Sequence, residues 1–157
     1  MELKRKIQIY GSNGDPDTYF CQQLAKRLQK MYEEMEGSSV SFDVVVETFL
    51  EVDYIKKLMG LKEQFGGIML THEATHVVIF DGVYLGDLSK MITFSQKWGI
   101  EDAEFGNTIL FNRLAREEFA AKMLQTGRPI VFMEFADGSL KKQETPPPEY
   151  GKIVIEL

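Results

Sequence analysis

The chain has 157 residues, 44% of them hydrophobic and including 11 Phe and six Tyr, which excludes disorder as a description of the whole chain. Its 18 Lys and Arg against 24 Asp and Glu give a net charge of −6, so nucleic acid and anionic membranes are poor partners. We expect an intracellular protein without an internal disulfide, because the sequence shows a single cysteine, no signal peptide and no run of roughly 20 apolar residues.

The first third of the chain predicts a β-α-β unit. Residues 6–10 alternate polar and apolar side chains, as a strand with one buried face does, and the turn-forming residues 11–16 end that strand. Apolar residues then recur every three or four positions, which predicts a helix whose N-terminus Asp15 or Asp17 caps. A second strand, rich in branched residues, follows at 41–46.

The middle of the chain predicts a helix, a hairpin and another helix. The first helix covers 53–65, and the last covers 87–98. Between them, a short apolar strand, a tight Asp81-Gly82 turn and a second short strand follow His76.

The C-terminal part predicts a helix at 107–125 and two strands at 130–135 and 152–157. The segment between these strands, 137–150, is predicted to be an exposed loop, because three consecutive prolines favour an extended polyproline conformation. Either a polyproline ligand for an aromatic groove or a plain hairpin connector fits this loop.

One motif suggests a zinc hydrolase. His72-Glu73-Ala74-Thr75-His76 is a literal H-E-x-x-H, which binds zinc when both histidines lie on one face of a helix. Here a Gly-Gly pair precedes the motif and a strand follows it, so we expect a loop that enters a strand. An acidic third ligand would have to be Glu101, Asp102 or Glu104.

Two further patterns have ordinary structural explanations. Residues 11–14 resemble a phosphate-binding loop, but they lack the Lys-Ser/Thr ending that a nucleotide loop needs. The acid pairs Asp15/Asp17 and Glu117/Glu118 could perform acid-base chemistry, although helix capping and a solvated helix face explain them equally.

Residues 7–99 resemble a degenerate thioredoxin or glutaredoxin domain in the order of their strands and helices. In that family the nucleophilic cysteine begins a C-x-x-C that opens the first helix. The corresponding stretch here is predicted to be Thr18-Tyr19-Phe20-Cys21, with only the second cysteine present, and His76 takes the place of the proline that faces the thiol. The resemblance implies the fold without its thiol chemistry, with Cys21 as a buried core thiol.

Residues 130–138 and 151–157 resemble the first hairpin of a cyclophilin, which has a strand, an Asp-Gly turn and a G-K-I-V-I-E-L strand. The whole order of parts resembles the cyclophilin-type peptidyl-prolyl isomerase-like proteins of ciliated organisms, which carry an N-terminal thioredoxin-like domain. The catalytic arginine and aromatic pocket of cyclophilins come from the rest of the barrel, and this chain offers no candidate for them.

These observations predict an α/β thioredoxin-like fold, a mixed sheet flanked by helices, with a C-terminal helix and β-hairpin. The predicted domains are a thioredoxin-like domain at 1–100, a linking helix at 101–128 and a cyclophilin-like hairpin at 129–157.

The predicted function is a non-catalytic docking or scaffold module of an axonemal protein, in a cilium or flagellum, with microtubule-associated proteins or tubulin as partners. We predict no catalytic, cofactor-binding or metal-ligating residue and no cofactor. One alternative is a part of a peptidyl-prolyl isomerase whose catalytic barrel lies beyond this chain. A second is a thiol-disulfide oxidoreductase that uses Cys21, and a third is the zinc hydrolase.

Overall fold

The computed structural model describes residues 3–126, 131–134, 140–143 and 154–156. The chain divides into two compact units, Met1–Glu118 and Phe119–Leu157. In the described ranges, no helix combines the length and the apolar character that crossing a bilayer requires. The proline-bearing segment 144–150, which is predicted to be exposed, lies outside the described residues.

The first unit is built on a four-stranded mixed sheet. The strands lie in the order β2-β1-β3-β4, with β1 parallel to β2 and antiparallel to β3. This arrangement is a thioredoxin-like α/β fold, which confirms the predicted fold class. Its elements are β1 (Leu3–Ser12), α1 (Pro16–Glu34), β2 (Val40–Phe49), α2 (Glu51–Phe65), a 3₁₀ turn (Gly67–Thr71), β3 (His76–Phe80), β4 (Val83–Gly86), α3 (Leu88–Lys97) and the start of α4 (Thr108–Thr126).

The two faces of the sheet carry separate hydrophobic cores, because successive residues of a strand point to opposite faces. Ile9 of β1 and Val78 of β3 pack with α1 and α3 in the larger core. Their neighbours Val77 and Ile79 pack with α2 in the smaller one. The central strands are therefore buried on both sides, and the polar groups at their ends are held by a rigid frame.

The hairpin between β3 and β4 is anchored to β1. Asp81 and Gly82 both have positive φ, 50° and 76°, as a tight turn between two strands requires. The Asp81 carboxylate accepts hydrogen bonds from the Lys6 backbone N–H at 2.7 Å and from the Arg5 guanidinium at 2.8 Å. The predicted Asp-Gly turn is confirmed, and its Asp81 side chain is also hydrogen-bonded to the neighbouring strand β1.

The strands β1 and β2 run further than the sequence predicts. Gly11 and Ser12 were expected to end the first strand, but both lie within it. Gly11 pairs with Thr48 on one side and with His76 on the other, so pairing on both sides keeps the backbone extended. Residue 11 must also be small, because a Cβ there would lie 2.7 Å from Cγ2 of the buried Thr18.

Helix α4 begins inside the first unit. The Phe111 ring stacks on Phe20 of α1 with 5.1 Å between the ring centroids, and Ala115 is buried in the same core. The first half of the helix that the sequence assigns to a linker therefore contributes to the core of the thioredoxin-like unit.

The second unit contains a three-stranded antiparallel sheet in the order β6-β5-β7, made of β5 (Val131–Glu134), β6 (Leu140–Gln143) and β7 (Val154–Glu156). The predicted pairing of the strand at 130–135 with the strand at 152–157 is present, since Phe132 of β5 pairs with Ile155 of β7. The prediction of a loop throughout 137–150 is wrong, because Leu140–Gln143 pairs with the other edge of β5. That pairing satisfies backbone groups which an open edge would leave to solvent.

Two glycine substitutions test this packing in opposite directions. We expect Gly11→Ala to lower the free energy of unfolding by about 1 to 3 kcal/mol, because the new methyl group overlaps Thr18. Gly60→Ala in α2 meets no atom within 4 Å and should raise it by about 0.5 to 1 kcal/mol through helix propensity. Urea unfolding followed by the fluorescence of Trp98, the single tryptophan, measures both, and equal effects of the two variants would contradict the packing at Gly11.

Candidate functional site

A partly buried polar cluster lies where the N-termini of α1, β3 and α3 meet. Its centre is a hydrogen bond of 2.7 Å between Asp15 Oδ2 and His76 Nδ1, which we call the Asp15–His76 pair. Thr75 Oγ1 donates to the same carboxylate oxygen at 2.6 Å. In the thioredoxin-like fold this corner carries the redox chemistry, so it is the place to look for a function.

Asp15 is the N-cap of α1. Its Oδ1 accepts the backbone N–H of Asp17 at 2.9 Å, and Pro16 occupies the first helical position, where its missing N–H costs nothing. The sequence left Asp15 and Asp17 as alternative caps, and the structure shows that Asp15 is the cap. Burial by itself raises the pKa of the Asp15 carboxyl, but the hydrogen bonds from His76, Thr75 and the Asp17 backbone outweigh it and lower that pKa below the ordinary value.

The imidazole of His76 has a defined tautomer. Its Nε2 accepts the backbone N–H of Leu88, the first residue of α3, at 2.9 Å, so the proton of the neutral ring lies on Nδ1 and is donated to Asp15. The side chain is only 5% exposed. Both ring nitrogens of His76 are therefore used to join α1, β3 and α3, which leaves neither one available for a substrate without breaking a structural hydrogen bond.

His72 forms a second, neighbouring polar contact. Its Nε2 donates to the backbone carbonyl of His76 at 2.6 Å, and its Nδ1 accepts the hydroxyl of Tyr84 at 2.6 Å. Burial lowers the pKa of the His72 imidazole, which favours this neutral form. Tyr54 adds a third link by donating its hydroxyl to the carbonyl of Ala74 at 2.8 Å.

The H-E-x-x-H motif does not form the helical zinc site of peptidases. His72 caps the 3₁₀ turn, His76 begins β3, and Glu73 between them is exposed in a loop. The prediction of a loop that enters a strand is confirmed. Of the acids proposed as a third ligand, Asp102 pairs with Arg27 at 2.6 Å and Glu104 accepts from Gln96 at 2.8 Å.

A different trio of potential metal ligands does converge. Among the described residues, ligand atoms of Asp15, Asp17 and His76 lie within 4.8 Å of one another. Since Asp15 and His76 are already hydrogen-bonded to each other, a cation would have to displace that bond. The geometry is that of a helix cap and its buried partner.

Helix α1 begins before the stretch that the resemblance assigns to the redox motif. The residues that open α1 are Asp15-Pro16-Asp17-Thr18, three positions before the predicted Thr18–Cys21 window, because Asp15 caps the helix and Pro16 begins it. The carboxylate of Asp15 therefore stands at the start of the helix.

Cys21 lies one turn further into α1 and is 0% exposed, as predicted for a core thiol. Burial raises the pKa of the Cys21 thiol well above its usual value, and the negative charges of Asp17, Asp15 and Asp87 raise it further. Those conditions disfavour the thiolate that disulfide exchange requires.

Next to the pair is an open pocket of about 440 Å³ with acidic walls. Asp17 and Asp87 line it together with His76. Burial raises the pKa of the Asp17 carboxyl, and the charge of Asp15 adds to that rise. This corner repels anions, so it is unsuited to an acidic thiol substrate.

The glycine-rich turn is not arranged as a phosphate loop. Its backbone N–H groups are already bound, those of Ser12 and Asn13 to the carbonyls of Thr75 and Phe49, each at 2.8 Å. The acid pair Asp15/Asp17 belongs to the cap. In the other predicted pair, Glu117 lies 3.8 Å from Arg113 on an exposed helix face, as a solvated helix surface predicts.

Sequence reasoning missed that Asp15 and His76 act together, since they are 61 residues apart. It also passed over Thr75. One signal was present: a histidine placed where the family has a proline, opposite a helix that opens with Asp-Pro-Asp. No protein-family model matches this chain, and no curated protein matches it either.

Replacing Asp15 tests the pair as a structural unit. We expect Asp15→Ala to lower the free energy of unfolding by about 2 to 4 kcal/mol, because it removes the helix cap and leaves the buried His76 N–H without its acceptor. Asp15→Asn keeps the cap and should cost less. Asp17→Ala, whose side chain is exposed, is the matched control and should stay within about 0.5 kcal/mol. Similar losses for Asp15→Ala and Asp17→Ala in urea unfolding would contradict this assignment.

His72 makes stability depend on pH. Its pKa is lowered in the folded state, so the unfolded chain takes up a proton first, and stability should fall as pH drops below about 6.5. Urea midpoints between pH 7.5 and 5.5 measure the effect. His72→Gln keeps a donor for the His76 carbonyl and removes the titration, so its midpoint should change less with pH although it is lower throughout. A wild-type midpoint independent of pH in this window would contradict the prediction.

Proposed function

We propose that this chain is a non-catalytic thioredoxin-like docking module of an axonemal protein, and that it binds axonemal microtubule-associated proteins or tubulin. The observation that carries the proposal is the Asp15–His76 pair. A carboxylate occupies the start of α1, and hydrogen bonds to His76 and Thr75 hold it in place.

The surrounding chemistry supports a loss of redox function. A reactive cysteine must be exposed and ionised, whereas Cys21 is buried among the charges of Asp15, Asp17 and Asp87. A fold that keeps its shape and gives up its reactive group remains useful as a rigid surface for other proteins. The axonemal setting comes from the resemblance of the order of parts to isomerase-like proteins of ciliated organisms.

A second candidate is a portion of a cyclophilin-type peptidyl-prolyl isomerase. The observation that favours it is the antiparallel pairing of β5 with β7, in which Val131 faces Glu156 and Phe132 faces Ile155. This is the pairing expected for the first cyclophilin hairpin. Under this proposal the catalytic pocket is supplied by sequence outside this chain, and prolyl isomerase activity of the native protein isolated from cilia tests it.

The docking role is tested by pelleting the purified chain with demembranated axonemes. We expect saturable binding that Cys21→Ala leaves unchanged, since the thiol takes no part. Microtubules polymerised from purified tubulin serve as a second probe, and binding to them as well would identify tubulin as the partner. Absence of binding to axonemes would contradict the proposal.

The same preparation tests the oxidoreductase alternative. Cys21 should react with a thiol reagent near neutral pH only when the protein is unfolded, and the native chain should not reduce insulin disulfides with dithiothreitol. Asp17→Cys places a thiol at an exposed position on the same helix and should label rapidly, which shows that the reagent works. Rapid native labelling of Cys21, with turnover that Cys21→Ala abolishes, would replace the docking role by an enzymatic one.

A further inference from the structure

A groove lies between α1 and α4 on the first unit, and it shares no lining residue with the pocket beside the Asp15–His76 pair. Its volume is about 510 Å³. It is lined from α1 by Tyr19, Gln22, Gln23, Lys26, Arg27 and Lys30, and from α4 by Leu110, Phe111, Leu114 and Glu118.

The spacing of these residues gives the groove its shape. The α1 residues recur once per helical turn, at 19, 22–23, 26–27 and 30, so they form one stripe along the helix. From Tyr19 to Lys30 that stripe is about 16 Å long at 1.5 Å per residue. The residues from α4 follow the same kind of spacing over two turns. An elongated groove between two helices fits a helical segment, whose apolar side chains recur on one face.

The floor of the groove is apolar and rigid. Phe111 is buried and stacks on Phe20, and the partly buried Leu114 packs against the same core. Leu110 adds a partly buried side chain beside them. Phe111 itself is buried, so the apolar surface left for a partner is that of Leu110 and Leu114, and the core already orders Leu114.

The rim of the groove is basic, although the chain as a whole is acidic. Lys26 and Lys30 are both exposed and lie one helical turn apart. Among the residues that the structure describes, neither ammonium group has a carboxylate within 4.0 Å, whereas the neighbouring Arg27 is paired with Asp102. Glu118 is the one acidic residue among those that line the groove, against the three cations Lys26, Arg27 and Lys30. The groove therefore has a local charge opposite in sign to the net charge of −6 of the whole chain.

We propose that the groove between α1 and α4 binds an acidic amphipathic helix of a partner protein, with apolar side chains on Leu110 and Leu114 and carboxylates on Lys26 and Lys30. This inference rests on the proposed docking role and names the surface and the chemistry of the partner.

The first test uses a designed peptide as the probe. A fluorescein-labelled helix of about four turns carries leucine at helical spacing on one face and glutamate on the other. Binding to the full chain is followed by fluorescence anisotropy. A peptide with lysine in place of every glutamate, and one with the same composition in scrambled order, should both bind much more weakly. Equal binding of either control would overturn the proposal.

Two double variants with the same change of charge locate the site. Lys26→Glu with Lys30→Glu should weaken peptide binding about tenfold, because two exposed ion pairs with the carboxylates of the peptide are lost. Lys56→Glu with Lys97→Glu, at exposed positions outside the groove, is the matched control and should change it less than about twofold. Circular dichroism checks that both variants are folded. An equal loss in the two variants would mean that only the net charge matters, and the proposal would fail.

Competition with the labelled peptide tests whether other acidic ligands bind the groove. Phosphatidylserine vesicles or poly(U) RNA that displace the peptide at equal charge concentration would make the groove a general anion surface and overturn the helix assignment.

Pelleting of the Lys26/Lys30 double variant with axonemes separates the two proposals. If the double variant pellets like the wild type, the groove is not the docking site, and the docking role itself is unaffected. If the wild type fails to pellet but still binds the peptide, the axonemal docking role is overturned.

Discussion

The hydrogen bond between the Asp15 carboxylate and the His76 imidazole connects three elements that would otherwise end separately. Asp15 caps α1, His76 begins β3, and the other nitrogen of the His76 ring accepts the first backbone N–H of α3. One buried, charge-assisted contact therefore fixes the relative position of two helices and the central sheet. Removing either partner leaves the other as a polar group without its hydrogen bond, which lowers the free energy of unfolding.

That constraint also determines what this corner of the fold can do. In a redox protein the start of the first helix stabilises a thiolate, and the positive end of the helix dipole assists. Here the positive end of the α1 dipole stabilises the carboxylate of Asp15, which is itself a structural group that caps the helix. The nearby Asp17 and Asp87 make the open side of the corner acidic, while Cys21 is kept neutral by burial.

The groove uses side chains other than those of this corner. The groove between α1 and α4 combines an apolar floor that belongs to the core with lysines that face solvent, so rigidity and charge occur together. The proposed docking role is consistent with the packing around Asp15 and His76, because those contacts also hold α1, on which the lysines of the groove lie. Binding would then depend on the helix faces, with no contribution from the buried polar groups.

The amino-acid sequence by itself determined the local structure wherever a period or a turn signal was strong. Alternation in β1, the Asp81-Gly82 turn and the apolar stripe of α1 were readable because each depends on neighbouring residues. Only the tertiary structure decided the extension of β1 through Gly11 and the existence of β6, since strand ends depend on what lies alongside. It also decided that Asp15 and His76 meet. Antiparallel pairing of β1 with β3 brings these residues together across 61 positions, and no local pattern encodes that register.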